Sequence, residues 1–232
     1  ITADNKELKL AATNLESALC LTIPAQIEEP GNITIPAKLL YEFISSLPAG
    51  EVILESSDTK LTCVSRKFKA SIAGISANEF PPLIEFPNQP SLEIKSRDLI
   101  LAIQQVTFAA SSDEGRQILT GILLKLSQEG LISVATDGYR LSKVELKELG
   151  SKEEFQVIIP SRSMVEITRL FSDRKDEVLK LALSNNQLLV KSANILFSSR
   201  IIDGQFPNYQ RIIPQGFETR VIVDHDELVK AV

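Results

Sequence analysis

Short runs in which apolar and polar residues alternate, separated by turn residues, make up much of the chain. Segments 119–126, 131–136 and 140–146 follow this pattern, which is typical of half-buried antiparallel strands. Asp137-Gly138 stands between the last two segments. Because glycine tolerates positive φ, this pair predicts a tight hairpin turn.

Apolar residues at helical spacing precede these strands. Leu99, Ile103 and Val106 predict a helix over 96–110, with the serine at its start as the N-cap. A short strand that begins at Leu92 leads into this helix. The order is therefore strand, helix and then a group of strands.

The same order follows a second time. A strand over 155–159 leads to a helix that Pro160 opens, and strands are predicted over 178–183, 187–191 and 195–202. Two helices among many antiparallel strands indicate the α+β class, with two helices packed on antiparallel sheets in each unit.

The chain also repeats itself with a period of about half its length. Four phrases recur in the same order: KLAATN and ISVATD, ITIPAKLLYEFISSL and VIIPSRSMVEITRLF, ISANEFP and IIDGQFP, and IKSRDLILAI and VDHDELVKAV. This period is much longer than that of a solenoid repeat, so each copy is predicted to be a domain.

The repeat predicts three portions of unequal completeness. Residues 1–88 form a first domain without its opening strand and helix, 89–216 form a complete second domain, and 217–232 begin a third. We therefore expect the sequence to be the middle of a longer protein.

The phrases VATDGYRLS and IIDGQFPNYQRIIP, and the Ile-Pro before the second helix, resemble the bacterial DNA sliding clamp, the beta subunit of DNA polymerase III. The resemblance follows the order of the motifs along essentially the whole chain. It implies the DNA clamp fold and a head-to-tail homodimeric ring around duplex DNA, which binds without sequence preference. It also implies a processivity factor of replication that tethers the replicative polymerase and the clamp loader through short linear peptides. A cytoplasmic location is expected because the first residues lack a basic segment leading into an apolar run and no stretch could span a bilayer.

Composition agrees with a packed globular protein, with 44% hydrophobic and 24% charged residues. No stretch approaches the roughly 20 apolar residues that span a bilayer, so no membrane association is expected. The net charge of −5 argues against a nucleic-acid partner only if the 25 basic residues are spread evenly. A ring with a basic lining and an acidic rim remains compatible with it.

Catalysis and bound cofactors are not expected. A lone His225 and two cysteines make a zinc site improbable, and Cys20 and Cys63 in apolar strands are interpreted as small buried side chains. Adjacent Asp113 and Glu114 are usually solvated in a polar loop. A scaffold that binds proteins without DNA stays open as an alternative.

Basic residues on or beside the predicted helices are the candidates for the DNA-facing surface, although any solvated helix face carries such residues. They are Lys38, Arg97, Arg162, Arg169 and Arg174. The resemblance adds Arg116 and Gln117, in the polar loop before Leu119, because they match a segment that approaches DNA in the family.

The resemblance further implies a groove for partner peptides. Its residues here are Leu119, Thr136, Gly138, Tyr139, Arg140, Leu141, Pro207, Arg211 and Ile212. Core packing is the simpler explanation for Leu119, Leu141 and Ile212, and a plain turn for Gly138. A purely structural role does not explain why the two copies differ: the first has TNLESAL where the second has TDGYRLS, so a single copy has the Gly-aromatic-Arg sequence.

Overall fold

The computed structural model describes residues 1–57 and 59–232. Its first half contains one α-helix, seven strands and a 3₁₀ turn at Ala77–Glu79 among the described residues. The strands and the α-helix are β1 Thr2–Asp4, β2 Glu7–Thr13, β3 Ser17–Pro24, β4 Gly31–Asn32, α1 Ala37–Ser46, β5 Ile53–Ser57, β6 Lys60–Ser65 and β7 Phe68–Ala73. Strands β5, β6 and β7 form an antiparallel sheet of their own.

The second half follows the predicted order twice. The first round is β8 Leu92–Lys95, α2 Ser96–Thr107, β9 Gly121–Ser127, β10 Gly130–Thr136 and β11 Leu141–Leu146. The second is β12 Phe155–Pro160, α3 Ser161–Phe171, β13 Val178–Ser184, β14 Gln187–Lys191 and β15 Ile195–Arg200. The last described helix, α4, spans His225–Ala231.

The two rounds exchange their opening strands. Strand β12 of the second round pairs with β9 in the sheet β11-β10-β9-β12, and β8 of the first round pairs with β13. Helices α2 and α3 pack on each other, and their buried residues, including Leu99, Ile103, Met164, Ile167 and Phe171, share one core with both sheets. The second half is therefore a single α+β unit.

An eight-stranded sheet joins the two halves of the chain. Its order is β4-β1-β2-β3-β15-β14-β13-β8, so β3 of the first half pairs with β15 of the second. Leu21 lies opposite Ile195 and Leu19 opposite Phe197 along this junction. Backbone pairing therefore connects the two repeats.

The first half has a smaller core than the second. Ile33, Leu61, Cys63 and Ile72 form it, whereas every residue of α1 is exposed or half-buried. Cys63 is fully buried, Cys20 is half-buried, and both are free thiols. Burial raises the pKa of the Cys63 thiol, so this side chain behaves as the small apolar residue that was predicted.

Several element bounds differ from the sequence prediction; β15, for example, ends at Arg200 rather than at Ile202, and four differences concern the ends of helices and the start of β9. Ser96 is the first residue of α2 rather than its N-cap, which is Lys95, and the Ser96 hydroxyl donates to the carbonyl of Phe171 at 3.2 Å. Helix α2 ends at Thr107 because the N–H groups of residues 108 and 109 bond to the Val106 carbonyl in a tight turn.

The other two differences concern the starts of elements. Residues 114–120 form 3₁₀ turns, so β9 begins at Gly121 and not at Leu119. Pro160 has extended φ and ψ and is the N-cap of α3 rather than a residue of its first turn.

Candidate functional site

The turn between β10 and β11, residues 137–140, is held by its own side chains and is called the lip below. Gly138 has φ of +93°, which favours glycine. Asp137 Oδ1 accepts the N–H groups of Tyr139 and Arg140 at 2.9 and 3.0 Å. Thr136 Oγ1 donates to the Arg140 carbonyl at 2.7 Å and accepts from Gly138 N at 3.1 Å. The lip therefore has a defined shape before any partner binds.

The Asp137 carboxylate is the electrostatic centre of the lip. The two backbone N–H groups that it accepts, and then the Arg140 guanidinium, lower the pKa of Asp137. Arg140 Nε donates to Asp137 Oδ2 at 3.0 Å, and its guanidinium lies 5.8 Å from the centre of the Phe108 ring. This contact directs Arg140 toward the end of α2, while Tyr139 is 94% exposed at the tip.

An apolar cluster lies beside the lip, on the face of the four-stranded sheet that segment 201–212 covers. Its buried residues are Leu123, Val134, Ile158, Ile202, Phe206 and Tyr209, with Ile118, Ile132 and Leu141 partly buried against them. The N–H of Ile202 donates to the Ile158 carbonyl at 2.7 Å, which fixes the start of this segment on the sheet. The cluster provides an apolar wall next to a polar lip.

The structure brings the groove candidates together to different degrees. Gly138, Tyr139 and Arg140 lie in the lip, Thr136 closes it from the end of β10, and Leu141 is half-buried in the apolar wall. Leu119 is also half-buried, and its carbonyl accepts from Ser111 N at 2.8 Å. The remaining candidates are exposed on either side of buried Tyr209: Pro207, Arg211 and Ile212.

The aromatic residues of this wall were not among the site residues predicted from the sequence. Phe206 and Tyr209 are 6% and 7% exposed; Phe206 lies inside the recurring phrase IIDGQFP, and Tyr209 follows that phrase by two residues. Lys143, whose ammonium is 5.9 Å from the Tyr209 ring centre, pairs with Glu145, and this pairing raises the pKa of Lys143 and lowers that of Glu145. The signal available in the sequence was the phenylalanine that recurs in both copies of the phrase, as Phe80 and Phe206.

The basic helix residues are solvent-exposed and each has an acidic partner. Lys38 pairs with Glu42 at 3.8 Å, Arg97 with Asp98 at 3.4 Å and Arg169 with Glu166 at 2.9 Å. Arg162, on the first turn of α3, pairs with Glu16 of the β2–β3 turn. Exposed pairs of this kind contribute only about 0–1 kcal/mol, so a phosphate can replace the carboxylate at little cost.

Arg174 and Gln117 have different surroundings. Arg174 is half-buried and donates to Asn194 Oδ1 at 2.8 Å and to Glu177 Oε2 at 3.4 Å. Glu177 in turn accepts from Ala193 N at 3.1 Å. Gln117 is exposed, with its carbonyl accepting the Thr120 hydroxyl at 2.7 Å. Arg174 thus anchors the β14–β15 turn as well as presenting charge.

Arg116 is held by three acceptors. Its Nε donates to Asp113 Oδ2 at 3.1 Å, its Nη2 to Ser111 Oγ at 3.3 Å and its Nη1 to the carbonyl of Asp137 at 2.7 Å. The loop candidate for DNA contact is therefore bonded to the lip of the candidate groove.

Among residues 1–57 and 59–232, no group of three or more His, Cys, Asp or Glu side chains is arranged to hold a metal ion. Within the same ranges, no helix is long and apolar enough to cross a membrane.

The chain matches two family models in succession. Residues 1–84 match the N-terminal domain of the DNA polymerase III beta subunit, and residues 93–208 match its central domain. Among curated relatives, the beta sliding clamp of Synechococcus elongatus is 36% identical over 99% of this chain, and that of Bacillus subtilis is 33% identical over 89%. The chain spans 62% and 55% of the lengths of these relatives.

Solved structures show the same fold. The DNA polymerase sliding clamp from Bacillus subtilis superposes with a TM-score of 0.93 at 29% identity, covering 99% of this chain and 63% of that one. The beta subunit from Streptococcus pyogenes superposes with a TM-score of 0.90 over the same shares of the two chains. The predicted DNA clamp fold is confirmed, and the chain belongs to the DNA polymerase III beta subunit family, the bacterial sliding clamps.

Proposed function

We propose that the chain is part of a non-catalytic replication clamp that encircles duplex DNA and tethers the replicative polymerase and the clamp loader. The observation that carries the proposal is the β3–β15 junction, through which one repeat continues the sheet of the next. Repeats joined edge to edge in this way can close into a ring, here a head-to-tail homodimer in the cytoplasm. Retention would then depend on encirclement rather than on tight contacts.

The sheet edge of the second repeat supports this arrangement. Strand β11 follows the ISVATD phrase as β3 follows KLAATN, and β11 is the edge strand of its sheet. An edge strand exposes unpaired backbone groups, so a third repeat would cover it as β15 covers β3. The proposed domains are 1–88, 89–216 and the start of a third over 217–232.

The DNA-facing residues are proposed to be Lys38, Arg97, Arg162 and Arg169, with Arg116, Gln117 and Arg174 at the margins. Their ion pairs leave the guanidinium and ammonium groups largely exposed, which suits weak, exchangeable phosphate contacts. Contacts of this type carry no sequence information.

Retention on circular DNA tests encirclement. The complete protein, loaded on closed circular duplex, should stay bound at a salt concentration that releases it within seconds from linear duplex of the same sequence. Linearising the circle with a nuclease should release it. Equal retention on both forms would contradict a ring and favour the scaffold that binds proteins without DNA.

The peptide groove is proposed to lie between the lip and the apolar wall. An apolar anchor buried beside Leu141 would contribute about 1.5–3 kcal/mol, and Arg140 and Arg211 would hold peptide carbonyls or carboxylates at the rim. Leu141→Glu puts a charge on the wall, and Gly138→Val strains the lip at positive φ.

Each variant should abolish binding of a labelled polymerase tail peptide by the complete protein, while retention on circular DNA persists. A peptide affinity within about threefold of the original in a folded variant, which is ~0.7 kcal/mol, would remove the groove assignment.

A further inference from the structure

Arg116 links two segments that are separated in sequence but adjacent in space. It lies in the 3₁₀ segment Glu114–Thr120, at a residue with non-helical φ and ψ of −114° and 58°. Its side chain crosses to the β10–β11 turn, and its Nη1 donates to the Asp137 carbonyl at 2.7 Å. A Cβ placed on Gly138 would lie 3.5 Å from the same nitrogen. The guanidinium therefore supports the lip directly below Gly138.

The guanidinium is itself held in place at its other end. Asp113 Oδ2 and Ser111 Oγ accept from Nε and Nη2, and Asp113 Oδ1 accepts from Gly115 N at 2.9 Å. Three of the five N–H donors of Arg116 are thus hydrogen-bonded, which fixes the orientation of the guanidinium. A charged donor held at 2.7 Å gives a stronger hydrogen bond than a neutral one, so the Asp137 carbonyl has a defined position.

In the first repeat, the corresponding turn around Asn14 and Leu15 is closed by its own side chains, through Asn14 Oδ1 and Thr13 Oγ1. Its contacts with the second repeat are made by Glu16, which pairs with Arg162 and accepts the N–H of Arg200. The Arg116 contact is thus additional to the hydrogen bonds that close the turn, and its effect should fall on the position of the lip rather than on the fold.

We propose that Arg116 is a positioning residue for the peptide groove: it sets the lip against the apolar wall through the Asp137 carbonyl. This deepens the proposed groove and rests on it for the consequence in binding, whereas the effect on the lip itself is independent of any partner. An Arg116 engaged in this way keeps Gly138 and Arg140 in the arrangement that a peptide would meet.

The test compares Arg116→Gln and Arg116→Lys with Arg66→Gln in the complete protein. Arg66 is a matched control because it is an exposed arginine whose Nη2 donates to a backbone carbonyl, that of Ala49, in the first repeat. Hydrogen–deuterium exchange of the segment around residues 136–141 is measured without partner, together with the thermal midpoint and the affinity and dissociation rate of a polymerase tail peptide.

For Arg116→Gln, exchange in the lip should rise about tenfold while exchange in α2 and α3 and the thermal midpoint stay near those of the parent protein. Peptide affinity should fall about tenfold, mainly through faster dissociation. Arg116→Lys keeps the charge without the planar fork and should give an intermediate rise in exchange. Arg66→Gln should change neither readout.

Lip exchange within about twofold of the parent protein in both Arg116 variants would overturn the proposal, as would a rise spread evenly over the second repeat. If Arg116→Gln fails to fold, Arg116→Lys decides by the same criterion. If the parent protein binds no peptide, the groove is wrong, and the exchange measurement still decides whether Arg116 positions the lip.

Discussion

Individual side chains shape the lip more than regular secondary structure does. Asp137 accepts two backbone N–H groups and one guanidinium N–H, and Thr136 closes the turn from its other side. Gly138 supplies the positive φ. Of these roles, the need for glycine was predictable because it depends on local backbone sterics. The Arg116 contact was not, because its acceptor is 21 positions away.

The ionised Asp137 carboxylate orders the lip, so protonation of this carboxylate in acid should loosen the lip. Because the pKa of Asp137 in the folded state lies below the ordinary aspartate value of about 3.9, the lip is fully ordered above that ordinary value. Its order is lost as the pH falls through the folded-state pKa. The amide shifts of Tyr139 and Arg140 should therefore stay constant down to about pH 4 and change only below it. Asp137→Asn should remove this transition. A midpoint above about 4 in the parent protein would contradict the assignment.

A glycine in the sheet tests packing at the same scale. A Cβ on Gly121 would lie 2.3 Å from Ile158 Cγ2 and 2.9 Å from Ile202 Cδ1. Gly121→Ala should lower the free energy of unfolding by about 1–3 kcal/mol through overpacking, measured by denaturant titration. Gly216→Ala is the control, since its Cβ would meet open space among the described residues, and it should change stability by less than about 0.5 kcal/mol. Equal effects would contradict the packing explanation.

At the scale of elements, most strands and helices were predictable because their apolar spacing is local. Strand β14, Gln187–Lys191, has the bounds that alternation predicted. The 3₁₀ segment before β9 was missed because apolar Leu119 is separated from Ile122 by only two residues and so fits the start of the strand. The β3–β15 pairing was also missed, since pattern alone does not identify the partner of an edge strand.

Backbone pairing and core packing, more than the ion pair, should stabilise the junction of the two repeats. Glu16 and Arg162 are 53% and 66% exposed, so Glu16→Gln should cost less than about 1 kcal/mol. Phe197 of β15 is 3% exposed in the main core, and Phe197→Ala should cost about 3–5 kcal/mol. Denaturant unfolding, followed by circular dichroism, measures both. A larger loss for Glu16→Gln than for Phe197→Ala would reverse this order.

At the scale of the whole molecule, the proposed DNA binding should depend on where the basic residues lie more than on the net charge. The chain has a net charge of −5, yet Arg97, Arg162 and Arg169 project from helices whose apolar faces are buried. Composition could not show this separation, because it depends on which helix face packs on the sheets. The repeat phrases, in contrast, predict the order of the proposed domains directly.

Replacing Arg97, Arg162 and Arg169 together by Glu should shorten residence on circular DNA, because phosphates would then be repelled from the helix surface. Lys9, Lys60 and Lys180 replaced by Glu make the matched control, since they change net charge equally but lie on strands. Residence is followed by fluorescence at two salt concentrations, and folding by circular dichroism. Equal shortening in both variants would mean that only net charge matters.

The β3–β15 junction also determines how the molecule would carry mechanical force. Hydrogen bonds of an antiparallel pair run across the strands, so a pull that separates the repeats stretches them along their length. Bending at the junction would break the hydrogen bonds one after another from one end of the strand pair, but each end has a further backbone hydrogen bond. Asn194 O accepts Thr22 N at 2.9 Å at one end, and Glu16 O accepts Arg200 N at 2.8 Å at the other. In a ring built from this unit, the β3–β15 junction would therefore resist separation along its whole length, so these two repeats would move together.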